Sequence, residues 1–208
     1  MSEARHRYFI LNKPYNMVSQ FVSPHAVRLL SELSFNFPPG THALGRLDNN
    51  SEGLLVLTTN KRLTKLLFQS TVPHKRIYLV QINNILSNEN LLKLRNGVTI
   101  KIAGGVNYIT PPCKVDIVED PNVYGVQFDS ASNYGKHTWV RITLFEGKYH
   151  QVRKMFGSVR HRCKRLVRVA IEDLTLSGLT PGEIKEIDEE DIFRFLKLAG
   201  DQSFISHV

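Results

Sequence analysis

Short apolar runs separated by glycine, proline and polar breaks set the pattern of this chain. Residues 8–11, Tyr8-Phe9-Ile10-Leu11, form an aromatic and β-branched run closed by Pro14, which predicts a strand. Residues 53–59 are rich in Leu and Val and predict a buried strand. Asn60 stands where a helix cap belongs, and Leu63, Leu66 and Leu67 follow at helical spacing between Lys61, Arg62 and Lys65. Residues 76–82 alternate and predict a strand. Residues 88–95 carry Leu91, Leu92 and Leu94 on a short amphipathic helix that Asn96-Gly97 ends, and residues 98–102 predict the next strand. Two more strands are expected at residues 113–118 and 138–144. A helix over residues 148–159 places Val152, Met155, Phe156 and Val159 on one face. A strand over residues 166–171 and a helix over residues 188–198, with Ile192, Phe195, Leu196 and Leu198, complete the series.

Two stretches are less regular. Residues 18–40 mix a weak helical signal with the turn Pro38-Pro39-Gly40. Residues 119–137 hold a candidate strand at 123–128 and then a polar loop. Strands and helices mix without strict alternation, which predicts an α+β fold on a mixed sheet. The expectation is one domain over residues 1–208, made of two packed halves, with a loose tail at residues 200–208. A chain of 208 residues can bury a real core without staples.

Charge adds a direction. The formal net charge is +8, which favours a polyanionic partner. Arg153, Lys154, Arg160, Arg162, Lys164, Arg165 and Arg168 fall in one segment without an acidic residue. The acids Glu183, Glu186, Asp188, Glu189, Glu190 and Asp191 collect elsewhere. Such segregation suits a phosphate-facing surface. The two cysteines, Cys113 and Cys163, make neither a disulfide framework nor a zinc pattern, and read as free thiols of a reducing compartment. No apolar run reaches signal-peptide or membrane-span length, so a cytoplasmic protein away from membranes is expected. No phosphate-binding glycine loop is present, and neither cofactor nor metal is expected. His150, or His161 near Cys163, could suggest a base or a ligand, but two candidate ligands do not make a zinc site. Glu52 lies four residues after Asp48; glycosidase acids usually come from different elements across a cleft, so Glu52 reads as a turn or salt-bridge residue.

The chemistry gathers at Gly45-Arg46-Leu47-Asp48-Asn49-Asn50-Ser51-Glu52-Gly53-Leu54-Leu55-Val56-Leu57-Thr58. An isolated loop Asp is ordinarily a turn cap. In this setting it has an arginine two residues before it, and such a neighbour keeps a carboxylate ionised. The stretch resembles the central motif of the pseudouridine synthases. Three more match in order: Phe9-Ile10-Leu11-Asn12-Lys13-Pro14, Lys75-Arg76-Ile77-Tyr78-Leu79-Val80, and Glu146-Gly147-Lys148-Tyr149-His150-Gln151-Val152-Arg153-Lys154-Met155, followed by Leu166-Val167-Arg168-Val169. Together they cover most of residues 8–178 and resemble the RsuA-type rRNA enzymes. Many of those begin with a small RNA-binding domain; the first strand here starts near Arg7, so that domain is expected to be absent. This resembles the synthase E subgroup of the enzymes that act on large-subunit rRNA.

The resemblance implies a mostly antiparallel sheet with flanking helices and a central basic cleft. It implies that Asp48 is catalytic, as nucleophile on ribose or as base toward a ribose proton. It implies that Tyr78 stacks on the target base and that Arg153 pairs with Asp48. Arg46 would enter the RNA stack where the base leaves, and Leu166 would line the uracil pocket unless it is an ordinary core leucine. Lys154 would meet solvent or the RNA backbone, and Arg168 would also contact substrate. His150 departs from the arginine usual in close relatives, and His161-Arg162 replaces a G-H-P-like turn. The expected partner is large-subunit ribosomal RNA, bound by a monomer. A catalytically silent RNA-binding assembly factor and the same reaction on tRNA are the alternatives.

Overall fold

The computed structural model describes residues 5–68, 72–126, 136–176 and 178–198. In chain order the elements are β1 (Tyr8–Lys13), β2 (His42–Leu44), β3 (Glu52–Thr58), α1 (Lys61–Phe68), β4 (Arg76–Asn83), α2 (Asn88–Asn96), β5 (Thr99–Lys101), β6 (Asn107–Ile109), β7 (Lys114–Val118), β8 (His137–Leu144), α3 (Gln151–Ser158), β9 (Cys163–Ile171), β10 (Leu174–Thr175), β11 (Ile184–Ile187) and α4 (Glu189–Phe195). The chain divides into two compact units, residues 1–74 with 170–208, and residues 75–169. Strand β9 runs from the second into the first.

In the first unit β1 pairs antiparallel with β11 on one side and β3 on the other, and β2 adds to β3. Flanked on both edges, β1 is buried along its whole length, and so is β3. Phe9 and Leu11, two apart and so on one face, meet Leu55 and Leu57 of β3 in a core closed by Met17 and Leu30. The stretch expected to carry a weak helix does not: within residues 18–40 the helical element is a 3-10 turn, Leu30–Glu32. Phe35 and Phe37, spaced by two around Asn36, instead lay their rings edge-on against Phe9, with centroids 5.4 and 5.8 Å away. Burying two aromatic rings outweighs a marginal helix propensity. Asn60 caps α1 as expected, accepting from the Arg62 amide at 3.1 Å.

In the second unit β8 lies between β4 and β7, both antiparallel to it, and β9 lies beside β4. Val80 and Ile82 of β4, Val140, Ile142 and Leu144 of β8, and Leu166 of β9 face Leu91 and Leu94 of α2 and Val152, Met155 and Phe156 of α3. Ser87 caps α2, accepting from the Asn90 amide at 3.2 Å. Leu92, expected on the apolar side of α2, is exposed. A two-stranded ribbon, β5 with β6, forms a separate sheet whose Ile100 and Tyr108 pack against this core. Val123 and Tyr124, expected to open a strand, lie in a 3-10 turn, Pro121–Tyr124, that Asp120 caps. The rest of that candidate strand, the polar loop at 127–135 and the tail at 200–208 lie outside the described residues. The fold is α+β, as expected. Among the described residues no helix is long and apolar enough to cross a membrane.

Candidate active site

The loop between β2 and β3 carries Arg46 and Asp48 in the first unit. Gly45 turns the chain at φ +58°, a left-handed conformation that suits glycine. Ser19 clamps the next step: its Oγ accepts from the Leu47 amide at 3.0 Å and donates to the Leu47 carbonyl at 2.9 Å. The Ser51 amide donates to the Asp48 carbonyl at 3.0 Å, closing the turn into β3. The buried ammonium of Lys13 donates to the carbonyls of Pro14, Met17 and Asn49 at 2.9, 2.5 and 3.3 Å. It ties the end of β1 to the residue after Asp48. The loop is therefore fixed on both sides of Asp48, whose side chain stays partly exposed, while Arg46 is exposed. Glu52, expected as a turn or salt-bridge residue, is the first, buried residue of β3.

In the second unit Arg76, Tyr78 and Val80 share one face of β4, and Leu166 and Arg168 share one face of β9. Val80 and Leu166 belong to the core, so the same row of the sheet passes from apolar to polar at Tyr78 and Arg168. Arg168 is only 2% exposed. Burial lowers its pKa, and its hydrogen bond to Tyr78 works against that shift. Arg168 was expected at the substrate. Its guanidinium is instead enclosed in β9, which is buried on both faces from Leu166 onward, and is hydrogen-bonded to the partly buried Tyr78. Leu166 is 5% exposed and packs in the core.

The matched motif that runs from Glu146 to Met155 is a device for aiming helix α3. Tyr108 Oη and Gln151 Nε2 both donate to Glu146, at 2.5 and 2.6 Å. The Gln151 side chain accepts from the Lys148 amide at 2.9 Å. His150 sits at φ +54° and delays the helix to Gln151, three residues later than the apolar spacing suggests. From there Val152, Met155 and Phe156 turn inward, and Arg153 and Lys154 stay partly exposed. Arg153 Nη1 donates to Cys163 Sγ at 3.7 Å. Burial pushes the Cys163 thiol up to about 11, against the pull of Arg153's charge. Lys154 lies over the Tyr149 ring, 5.2 Å from its centroid. His161 is 7% exposed and engaged with Asn83 and Asn90. Among the described residues no group of His, Cys, Asp and Glu could hold a metal ion.

Lys13, Ser19, Glu146 and Gln151 received no role from sequence alone. For the first, the available signal was its place in the matched Asn12-Lys13-Pro14 turn. The other three are polar residues that only a folded turn connects.

The family model described as RNA pseudouridylate synthase matches residues 7–158. The chain belongs to this family. It is thus an RNA pseudouridine synthase, an isomerase. Among curated relatives it is 36% identical over 191 residues to the ribosomal large subunit pseudouridine synthase E of Vibrio vulnificus, covering 90% of this chain and 77% of that protein. It is 37% identical over 177 residues to the protein of the same name from Xanthomonas axonopodis pv. citri, covering 83% and 89%. The crystal structure of a pseudouridylate synthase, 25% identical, superposes with a TM-score of 0.75 over 94% of this synthase and 76% of that chain. The expected kinship with the synthase E subgroup is supported by both curated names.

Proposed function

We propose that this synthase converts a uridine of large-subunit ribosomal RNA to pseudouridine. The match of the family model across residues 7–158 carries the reading, and the names of the relatives at 36% and 37% identity point to the RNA. The reaction breaks the bond from uracil N1 to ribose C1′ and forms one from C5 to C1′. C5 gives up a proton and N1 ends with one, so no atom is gained or lost. Asp48 attacks C1′ or removes a ribose proton. Arg153 orients the Asp48 carboxylate through a charge-assisted bond. Arg46 fills the space the extruded base leaves, where a guanidinium both stacks and bonds phosphate. The Tyr78 ring holds the detached uracil by a flat face that tolerates its rotation. Lys154 contributes to backbone binding.

Arg168 acts behind Tyr78. A guanidinium only donates, so Tyr78 Oη accepts from it and keeps its own O–H for another partner. That leaves the hydroxyl directed away from Arg168 and available at the base. Mapping carbodiimide-resistant uridine adducts in RNA from wild-type and deletion strains tests the reading. One adduct lost from large-subunit rRNA is the expected result; a loss confined to tRNA, or none at all, would refute it.

A further inference from the structure

Beyond α3 the chain makes a tight turn, Arg160-His161-Arg162, before β9. A pocket of about 430 Å³ opens there, lined by Arg153, Gly157, Arg160, His161, Arg162 and Cys163. We infer that this pocket is a subsite for a backbone phosphate of the RNA, with Arg160 and Arg162 as its ligands. The inference rests on the proposed function for the identity of the polymer, and on the following features for the site itself.

The turn is held rigidly. The Arg160 amide donates to the Gly157 carbonyl at 3.0 Å and the His161 amide to the Phe156 carbonyl at 2.9 Å. His161 Nδ1 lies 2.9 Å from the Asn83 carbonyl, which can only accept, so Nδ1–H donates. Nε2 is then left to face Asn90 Nδ2 at 3.4 Å. The Arg162 amide donates to the Asn83 side chain, and the Arg162 carbonyl accepts from the Asn83 amide at 3.1 Å. His161 is a pillar of the turn rather than a base or a ligand. The two arginine side chains on this fixed frame are exposed, and neither makes a side-chain hydrogen bond or ion pair with another described residue.

Arg160 also sits at φ +63°. For a residue with a Cβ that conformation is strained, which glycine would avoid. The chain thus keeps a guanidinium at a position whose backbone favours glycine, and strain of this kind collects at ligand sites. The exposed guanidinium groups of Arg160 and Arg162 line one hollow with no carboxylate among its lining residues. The buried Cys163 thiol, pushed up to about 11, adds no negative charge at neutral pH. A phosphodiester relieves that repulsion, and guanidinium matches its oxygens in pairs. Gly157 leaves the space open, since a Cβ there would meet nothing within 4 Å. The volume falls near the lower end of ligand pockets and exceeds what one small anion fills, which suits a phosphate carried on its sugar.

The test is filter binding of free large-subunit rRNA across a salt series. Each arginine neutralising a phosphate contributes a slope of about 0.7–0.9, or roughly five- to eightfold in affinity at 0.1 M salt. Arg160→Gly with Arg162→Gln should flatten the slope by about 1.4–1.8 units and weaken binding about 25- to 60-fold. Arg160→Gly alone should melt no lower than wild type, because it relieves the strained φ. Gly157→Leu fills the hollow without changing charge and should weaken binding as well; a Lys185→Gln control in the first unit should leave the slope unchanged. An unchanged slope in the double variant overturns the subsite. So does undiminished binding by a folded Gly157→Leu protein, which would mean diffuse attraction only. Uridine monophosphate offers the same phosphate without a chain. If it loses affinity in the double variant while RNA does not, the RNA assignment is wrong. Tritium release from C5-labelled uridine by wild-type protein runs in parallel: no release with an altered slope would sink the proposed reaction and leave the subsite standing.

Discussion

Tyr8 and Tyr78 are both strand tyrosines, one in each unit, and they are set against opposite partners. Tyr8 is 1% exposed on β1. Its hydroxyl donates to Glu189 Oε2 at 2.5 Å and accepts from Asn60 Nδ2 at 3.0 Å, and its ring meets Phe193 edge-on at 6.1 Å. Burial first, and the Glu189 carboxylate next, hold its proton well beyond the usual phenol range. Both hydrogen-bonding functions are consumed, and the residue is architecture. Tyr78 is partly exposed on β4 and backed by the buried Arg168 guanidinium, a donor that occupies only its oxygen. A carboxylate partner takes the O–H; a guanidinium partner leaves it for use. The polarity of the neighbour separates a tyrosine that can only hold the fold from one that can serve a substrate.

The comparison can be broken or sharpened by substitution. The largest effect belongs to the chemistry that Tyr78 attends and Tyr8 does not. Asp48→Asn should give no pseudouridine by mass spectrometry of digested rRNA, while RNA binding stays within a few fold of wild type. Turnover by the purified variant would remove Asp48 from the mechanism. Next come the tyrosines themselves. Tyr78→Phe should slow single-turnover isomerisation by about 10²-fold or more if its hydroxyl moves a proton. Tyr8→Phe should leave that rate near wild type and cost about 1–2 kcal/mol in urea unfolding, because Glu189 and Asn60 lose a buried partner. Equal effects of the two changes on rate would erase the distinction.

Arg168 gives a smaller and more diagnostic effect. Arg168→Met should lower kcat about tenfold or more with little change in KM, and Arg168→Lys, which restores a donor, should recover part of the rate. Losses confined to Tm in both variants would make Arg168 purely structural. The smallest effect is in alkali. The folded-state pKa of Tyr8 lies above its unfolded value near 10, so its proton is held more tightly in the folded protein. Its contribution to stability is complete below about pH 10 and declines as pH rises above that. Tyr8→Phe should make the alkaline loss of stability shallower; an unchanged curve would show that Glu189 does not hold the Tyr8 proton.

Local patterning makes much of this fold readable. β1, β3 and β9 announce themselves as apolar runs and β4 by its alternation, and Asn60 caps α1 as its position suggests. The short pairings β2, β6, β10 and β11 have too few residues to show a period, and they exist because a neighbouring strand needs an edge covered. Residues 18–40 mislead because Phe35 and Phe37 answer to Phe9, far away in sequence. The candidate site is readable at the level of motifs. The side chains that stiffen it are not: a lysine is expected in water, yet Lys13 is buried to staple the Asp48 loop. Arg168 likewise reads as one more phosphate ligand in a basic run, yet it lies where β9 is buried on both faces.

Incubating the purified protein with free large-subunit rRNA carrying tritium at uridine C5 is the most direct measurement. Isomerisation must release the C5 hydrogen to water, whereas binding releases nothing. The account predicts tritium release that rises to about one equivalent per rRNA molecule and disappears in Asp48→Asn. Tight binding of the same rRNA by wild-type protein with no tritium released would contradict it.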